Sequence, residues 1–174
     1  MEKVWLGLGS NLGDSHHILQ GAWEELGEES SIRILSFSSP YASAPVGMES
    51  ENRFLNAVGI LETTLDPYSF LMLLQKTEKG FGRHKKTGVD GYQDRLLDLD
   101  ILYFGERVSA AVDLQLPHPH ITNRLFVLAP LAEIDPDHCD PRSGKKVKHM
   151  YSNLTRKIAN GIMASQDIVR EKWS

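Results

Sequence analysis

From Arg95 to Phe104 the chain reads Arg-Leu-Leu-Asp-Leu-Asp-Ile-Leu-Tyr-Phe. Apolar residues dominate and no glycine or proline interrupts them, so a strand is predicted over Leu96–Phe104. Alternate side chains of a strand share a face. Asp98 and Asp100 therefore point one way, and Leu97, Leu99, Ile101 and Tyr103 point the other way, into a core. A chain holding this strand must build a sheet with one face buried and carboxylates on the opposite face. Carboxylates at i and i+2 lie about 6.5 Å apart along the strand. Their repulsion is unfavourable unless a cation joins them or one takes a proton. Such oxygen donors suit Mg²⁺, which completes its shell with water and substrate phosphates. The alternative is an edge strand that two aspartates merely solvate. Against it, aspartate is disfavoured in strands, and this one is otherwise apolar.

The remaining elements follow from periodicity and punctuation. Val4–Leu8 is an apolar run ending in Gly9-Ser10-Asn11, read as a buried strand. Asp14 or Ser15 offers a helix cap, Ile18, Leu19, Ala22, Trp23 and Leu26 follow at helical spacing, and Gly27 suits a left-handed stop. Ile32–Ser39 reads as a strand. Residues 40–53 hold two prolines and a glycine without a period and read as a loop. Phe54–Thr64 is a strand, and Pro67 opens a helix ending near Gly80 or Gly82. A charged loop over 82–94 precedes the aspartate strand. Val108–Leu116 predicts one short strand, Pro117–His120 a stiff corner and Leu125–Glu133 a short helix. The polar C-terminal part allows a helix between Asn153 and Met163. The order strand, helix, strand, strand, helix, strand is that of a ferredoxin-like βαββαβ core. It implies an α+β domain whose antiparallel sheet carries helices packed on one face. At 174 residues the whole chain, 1–174, is expected to be a single catalytic domain.

The net charge of −4 argues against a nucleic-acid partner. The N-terminus has no secretory n-region and no apolar run approaches bilayer length, so a cytoplasmic protein off the membrane is expected. The lone Cys139 cannot form an internal disulfide. Against this acidic background, Lys79, Arg83, Lys85, Lys86 and Arg95 form a basic cluster opposed only by Asp90 and Asp94. Cations beside a two-aspartate site suit a polyphosphate, with arginine giving planar bidentate contacts; alone they would read as a solvated turn. The glycines around Gly9 lack P-loop spacing, leaving a tight strand-to-helix turn or a place where a planar ligand nears the backbone. His118 and His120 lie on the stiff corner without the further ligands a zinc site needs. Phe54 with Asn56, and Arg124 with Phe126, pair aromatics with polar groups, though a phenylalanine is more often core.

Taken together these motifs resemble the 6-hydroxymethyl-7,8-dihydropterin pyrophosphokinases of folate biosynthesis. The resemblance runs from about Val4 to Glu133. It rests on Gly9-Ser10-Asn11-Leu12, Tyr41 through Pro45, Phe54-Leu55-Asn56-Ala57, Gly82-Arg83, Pro117-His118 and Asn123-Arg124-Leu125-Phe126, and above all on Arg95 through Asp100. It implies transfer of a diphosphate from ATP to the pterin hydroxymethyl group, with AMP released, by a monomer whose partners are those two small molecules. It implies two Mg²⁺ ions on Asp98 and Asp100. Phe54 and Phe126 would sandwich the pterin, Asn56 would read its edge, and Gly9, Ser43 and Val46 would line its pocket. Leu71, Gln75, Glu78, Lys85, Ile101, His118 and Arg124 match the nucleotide side, and Arg83 and Arg95 the arginines that meet the phosphates. A tryptophan frequent in the second loop has no counterpart between His84 and Asp94, and Lys85 and Pro119 replace a frequent arginine and tyrosine. Two rivals remain from the residues alone: another metal-dependent phosphotransferase or hydrolase on the same aspartates, and a non-catalytic module that binds a small regulator.

Overall fold

A computed structural model describes residues 1–45, 52–82 and 94–174. Val46, Arg83, Lys85 and Lys86, and with them most of the basic cluster, lie outside the described residues. The chain forms β1 (Glu2–Ser10), α1 (Ser15–Glu28), β2 (Ile32–Phe37), β3 (Tyr41–Ser43), β4 (Phe54–Thr63), α2 (Pro67–Gly80) and β5 (Asp98–Phe104). There follow β6 (Ser109–Ala111), β7 (Leu114–Leu116), α3 (Leu125–Ile134), α4 (Val147–Ala159) and β8 (Ile168–Arg170). The main sheet runs β5-β1-β4-β3-β8, with β2 also on β4, and every pairing is antiparallel. The ferredoxin-like α+β reading holds. β2 and β3 share one side of β4, β2 against the Gly59–Thr63 end and β3 against Phe54–Asn56.

Helix starts follow their caps. Asp14 accepts from the His17 N–H, and Asp66 from the Tyr68 and Ser69 N–H groups just ahead of Pro67. Two cores sandwich the sheet. Val4, Leu6, Leu8, Leu99 and Ile101 pack with Leu19, Trp23 and Leu26 of α1 and Phe70 and Leu74 of α2. On the other face Trp5, Val58, Ile60 and Tyr103 pack with Leu128 and Leu131 of α3 and Met150 and Leu154 of α4. Helices thus cover both faces, not one: α1 and α2 lie on one face and α3 and α4 on the other, a second layer that element order did not encode.

Five local expectations are corrected. Tyr103 does not share the face of Leu99 and Ile101: the register of β1 with β5 slips between Trp5 and Leu6. The bulge places Leu102 and Tyr103 together on the α3 side. Gly27 does not stop α1, which runs to Glu28 and ends with Glu29 extended. It serves close packing instead, since a Cβ there would stand 3.2 Å from Ile34 Cγ1. The loop over 40–53 contains β3, and Val108–Leu116 is a β6–β7 hairpin rather than one strand. The C-terminal helix begins at Val147, and the tail beyond it adds β8 to the sheet edge. Trp173 stacks on Phe37 at 4.9 Å, and Phe37 on Trp23 at 4.7 Å, while Trp173 donates to Ser38 O at 2.9 Å.

Candidate active site

The α3 face of the sheet is filled at one end and open at the other. At the filled end Trp5 meets His138 at 4.0 Å between ring centroids and donates to Asp135 Oδ2 at 3.0 Å. Along β1 the residues on this face then become Gly7 and Gly9. With no side chains there, the floor drops and a cleft opens. Its lining includes Gly7, Gly9, Ser43, Phe54, Asn56, Arg95, Asp98, Asp100, Arg124 and Phe126.

Strand register sets the geometry. Gly9 lies between Asp98 on β5 and Asn56 on β4, and Gly7 between Asp100 and Val58. The two aspartates therefore share one cleft with the amide and the aromatics, as strand alternation requires. Asn56 is buried and donates from Nδ2 to Ser43 Oγ at 3.0 Å. That bond turns Oδ1 towards Gly9, where an added Cβ would meet it at 3.3 Å. The cleft thus presents a fixed acceptor beside bare backbone. Phe54 at the start of β4 and Phe126 in the first turn of α3 are each half-buried, and the Arg124 guanidinium lies 5.6 Å from the Phe126 ring centroid.

At the other end charge is concentrated. Arg95 Nη1 stands 2.6 Å from Asp98 Oδ2. Burial pushes the Asp100 carboxyl up to about 7, the neighbouring Asp98 charge adds to the rise, and Arg124 and Arg95 oppose it. Asp100 is deeply seated, yet 43% of its side-chain surface still reaches the cleft. Cleft water moderates the rise. His118 accepts the His120 N–H at Nδ1, 3.2 Å away, so its proton sits on Nε2, which faces Asp100 Oδ2 at 4.0 Å. Burial, helped by Arg124 and His120 and opposed by Asp98, pushes His118 down to about 4, which keeps it neutral at pH 7.

Among the described residues no cluster of three or more His, Cys, Asp or Glu could hold a metal by itself. The donor set still fits hard cations. Asp98 and Asp100 are oxygen ligands whose mutual repulsion and burial a divalent ion would relieve, and Mg²⁺ takes the rest of its shell from water and phosphate.

The cleft gathers Gly9, Ser43, Phe54, Asn56, Arg95, Asp98, Asp100, Arg124 and Phe126. It does not gather Leu71, Gln75, Glu78 or Ile101. Ile101 is buried in the α1–α2 core and Leu71 packs against it. Gln75 is half-buried on α2, and the buried Glu78 accepts the Leu99 N–H at 2.9 Å. Ile101 turns to the opposite face of β5 from the cleft, and Leu71, Gln75 and Glu78 are on α2, which packs beside that strand; β5 is an edge strand.

Two roles were missed in the sequence. Asn11 is buried; its Oδ1 accepts the Arg95 N–H at 2.7 Å, its Nδ2 donates to Asp94 Oδ1 at 2.6 Å, and its own N–H donates to Arg95 O. The turn after β1 thereby holds Arg95 at the cleft. Gly7 was passed over, although two residues before Gly9 on a strand puts it on the same face. Among the described residues no helix is long and apolar enough to cross a membrane.

Residues 5–136 match the family model described as 7,8-dihydro-6-hydroxymethylpterin-pyrophosphokinase (HPPK). The 2-amino-4-hydroxy-6-hydroxymethyldihydropteridine pyrophosphokinase of Porphyromonas gingivalis is 40% identical over 137 residues, covering 78% of this chain and 92% of that protein. The enzyme of the same name from Synechocystis sp. is 39% identical over 149 residues, covering 86% and 74%. Among solved structures, a Plasmodium falciparum HPPK-DHPS crystal structure superposes with a TM-score of 0.75 at 13% identity. It covers 95% of this chain, which spans about half (47%) of that one; at that identity the likeness speaks for the fold alone.

Proposed function

The chain belongs to the 7,8-dihydro-6-hydroxymethylpterin-pyrophosphokinase family, a family of transferases, and from that premise we propose that it moves the β,γ-diphosphate of ATP onto 6-hydroxymethyl-7,8-dihydropterin, with AMP released, in folate synthesis. The observation that carries the reading is the single row Asp98–Gly9–Asn56, which puts a cation-binding carboxylate and a heterocycle-reading amide on one cleft floor.

A pterin is flat and carries donors and acceptors around its edge. Phe54 and Phe126 offer the two ring faces that would enclose it. Ser43 holds the Asn56 amide so that its oxygen can accept from the pterin edge, and Gly9 leaves room for the ring against the strand. The hydroxymethyl arm would then point across β1 towards Asp98 and Asp100 on β5. These two carboxylates would hold two Mg²⁺ ions, which supply neutralisation of the triphosphate charge. Arg95, steadied by Asn11 and Asp98, and Arg124, beside Phe126, both line the cleft and would meet the phosphates. Arg83 and Lys85 are assigned to the same task by resemblance. His118 stays neutral and offers Nε2–H to a phosphate oxygen. In the transfer the hydroxymethyl oxygen bonds to the β-phosphorus and its proton passes to cleft water, the bond from that phosphorus to the α,β-bridging oxygen breaks, and AMP leaves with that oxygen. Positioning and charge stabilisation carry most of such a reaction. For the adenosine to reach Leu71, Gln75, Glu78 and Ile101, the nucleotide must wrap around the β5 edge.

The test is AMP release from ATP and Mg²⁺, with and without 6-hydroxymethyl-7,8-dihydropterin. Release that requires the pterin and disappears in Asp98→Ala and Asp100→Ala is expected. ATP turnover indifferent to the pterin would instead point to another phosphotransferase or hydrolase.

A further inference from the structure

The segment after α4 reaches back to the cleft, beyond the residues matched by the family model. On the reading that the cleft takes a pterin, we propose that Gln166 is a positioning residue that sets the separation of its two aromatic walls.

One wall is the β3–β4 ladder, where Ser43 lies opposite Phe54 and accepts from Asn56. The other is the N-terminus of α3, which carries Arg124 and Phe126. That helix starts without a side-chain cap of its own, since Arg124 supplies none, and its first N–H groups need outside partners. Gln166 supplies one from 41 residues away: the Leu125 N–H donates to Gln166 Oε1 at 2.7 Å. The same amide donates from Nε2 to Asn123 O at 2.8 Å, so both of its ends grip the start of α3. One residue on, Asp167 O accepts the Ala44 N–H at 3.2 Å, and Ile168 pairs with Ser43 in β8. Two consecutive residues therefore join the wall of Phe126 to the wall of Phe54, across a backbone step of about 3.8 Å. The Arg53–Asp167 ion pair at 2.7 Å lies on the same stitch, but both side chains are about half exposed and solvent screens it. Without Gln166 the first turn of α3 loses its anchor to β8, while the core contacts of Leu128 and Leu131 remain.

The experiment is calorimetric titration of the full chain with 6-hydroxymethylpterin, beside titration with a non-hydrolysable ATP analogue and Mg²⁺. It uses the wild type, Gln166→Ala and Gln166→Glu. Two neutral hydrogen bonds are each worth roughly a factor of 2–10, and only part of that reaches the ligand. Gln166→Ala is expected to raise the pterin Kd roughly 5- to 10-fold, to raise the nucleotide Kd by clearly less because Arg124 is only one of several groups proposed to meet the phosphates, and to lower Tm by roughly 2–10 °C. Gln166→Glu keeps the acceptor for Leu125 but sets a carboxylate oxygen against Asn123 O, so it recovers at most part of the pterin affinity. Unchanged pterin affinity in Gln166→Ala overturns the proposal and leaves the functional reading standing. Equal weakening of both ligands in Gln166→Ala also overturns it, because that is general loosening. A wild type that binds no pterin removes the functional reading and this inference with it.

Discussion

Asp100→Asn is expected to make the ion-free protein more stable while abolishing transfer. A rise of the Asp100 carboxyl from 3.8 to about 7, at about 1.4 kcal/mol for each tenfold change in proton affinity, would amount to about 4 kcal/mol. Since 43% of the side chain reaches cleft water, screening reduces this to roughly 1–2 kcal/mol. The sign follows from linkage. A carboxyl that holds its proton more tightly when folded favours the folded state below its unfolded value near 4, and that advantage is lost as pH rises through about 7. Above pH 7 the wild type therefore carries the full cost of a buried charge, and asparagine, which resembles the protonated acid, does not. In EDTA at pH 8, calorimetry should show Asp100→Asn melting roughly 2–8 °C above wild type, with the difference shrinking towards pH 4. Adding Mg²⁺ with a non-hydrolysable ATP analogue should raise the wild-type Tm and leave the variant nearly unmoved. A variant less stable than wild type at pH 8, or a gap independent of pH, would refute the argument.

Phe126→Ala removes one face of the proposed stack and should weaken pterin binding by roughly 1–3 kcal/mol, by analogy with stacked bases, as read by calorimetry. Gly9→Ala puts a Cβ 3.3 Å from Asn56 Oδ1 and onto the cleft floor. It should cost about 1–3 kcal/mol of pterin affinity with little change in Tm. Gly59→Ala acts elsewhere: its Cβ would stand 2.2 Å from the Trp23 ring, so the Trp23–Phe37–Trp173 stack must shift. A loss of about 1–3 kcal/mol or more of stability is expected in denaturant titration, with pterin affinity retained in the folded fraction.

The long elements were legible because each carries its own signal. β1, β4 and β5 show apolar runs, α1 and α2 show caps and a 3.6-residue period, and the aspartates of β5 alternate with leucines. Strand alternation alone put Asp98 and Asp100 in one cleft. What was not legible depends on partners far away in sequence. β3 and β8 are three residues each and exist as strands because β4 and β3 offer free edges. The turn of Tyr103 to the other face comes from a bulge against β1, which no pattern within β5 announces. The start of α4 was readable in the spacing of Val147, Met150 and Leu154, but the stretch before it is polar and Lys146 gives no side-chain cap. Asn11 and Gln166 escaped notice because each acts through backbone groups of a distant segment, 84 and 41 residues away.

The central claim is that Asp98 and Asp100 together hold divalent ions that tether a triphosphate in the pterin cleft. Electron paramagnetic resonance with Mn²⁺ in place of Mg²⁺ reads this directly, in the presence of a non-hydrolysable ATP analogue and 6-hydroxymethylpterin. Two bound ions per wild-type chain are predicted, with both lost or weakened at least tenfold in Asp98→Ala and Asp100→Ala. Mn²⁺ binding in those variants equal to that of wild type would contradict it.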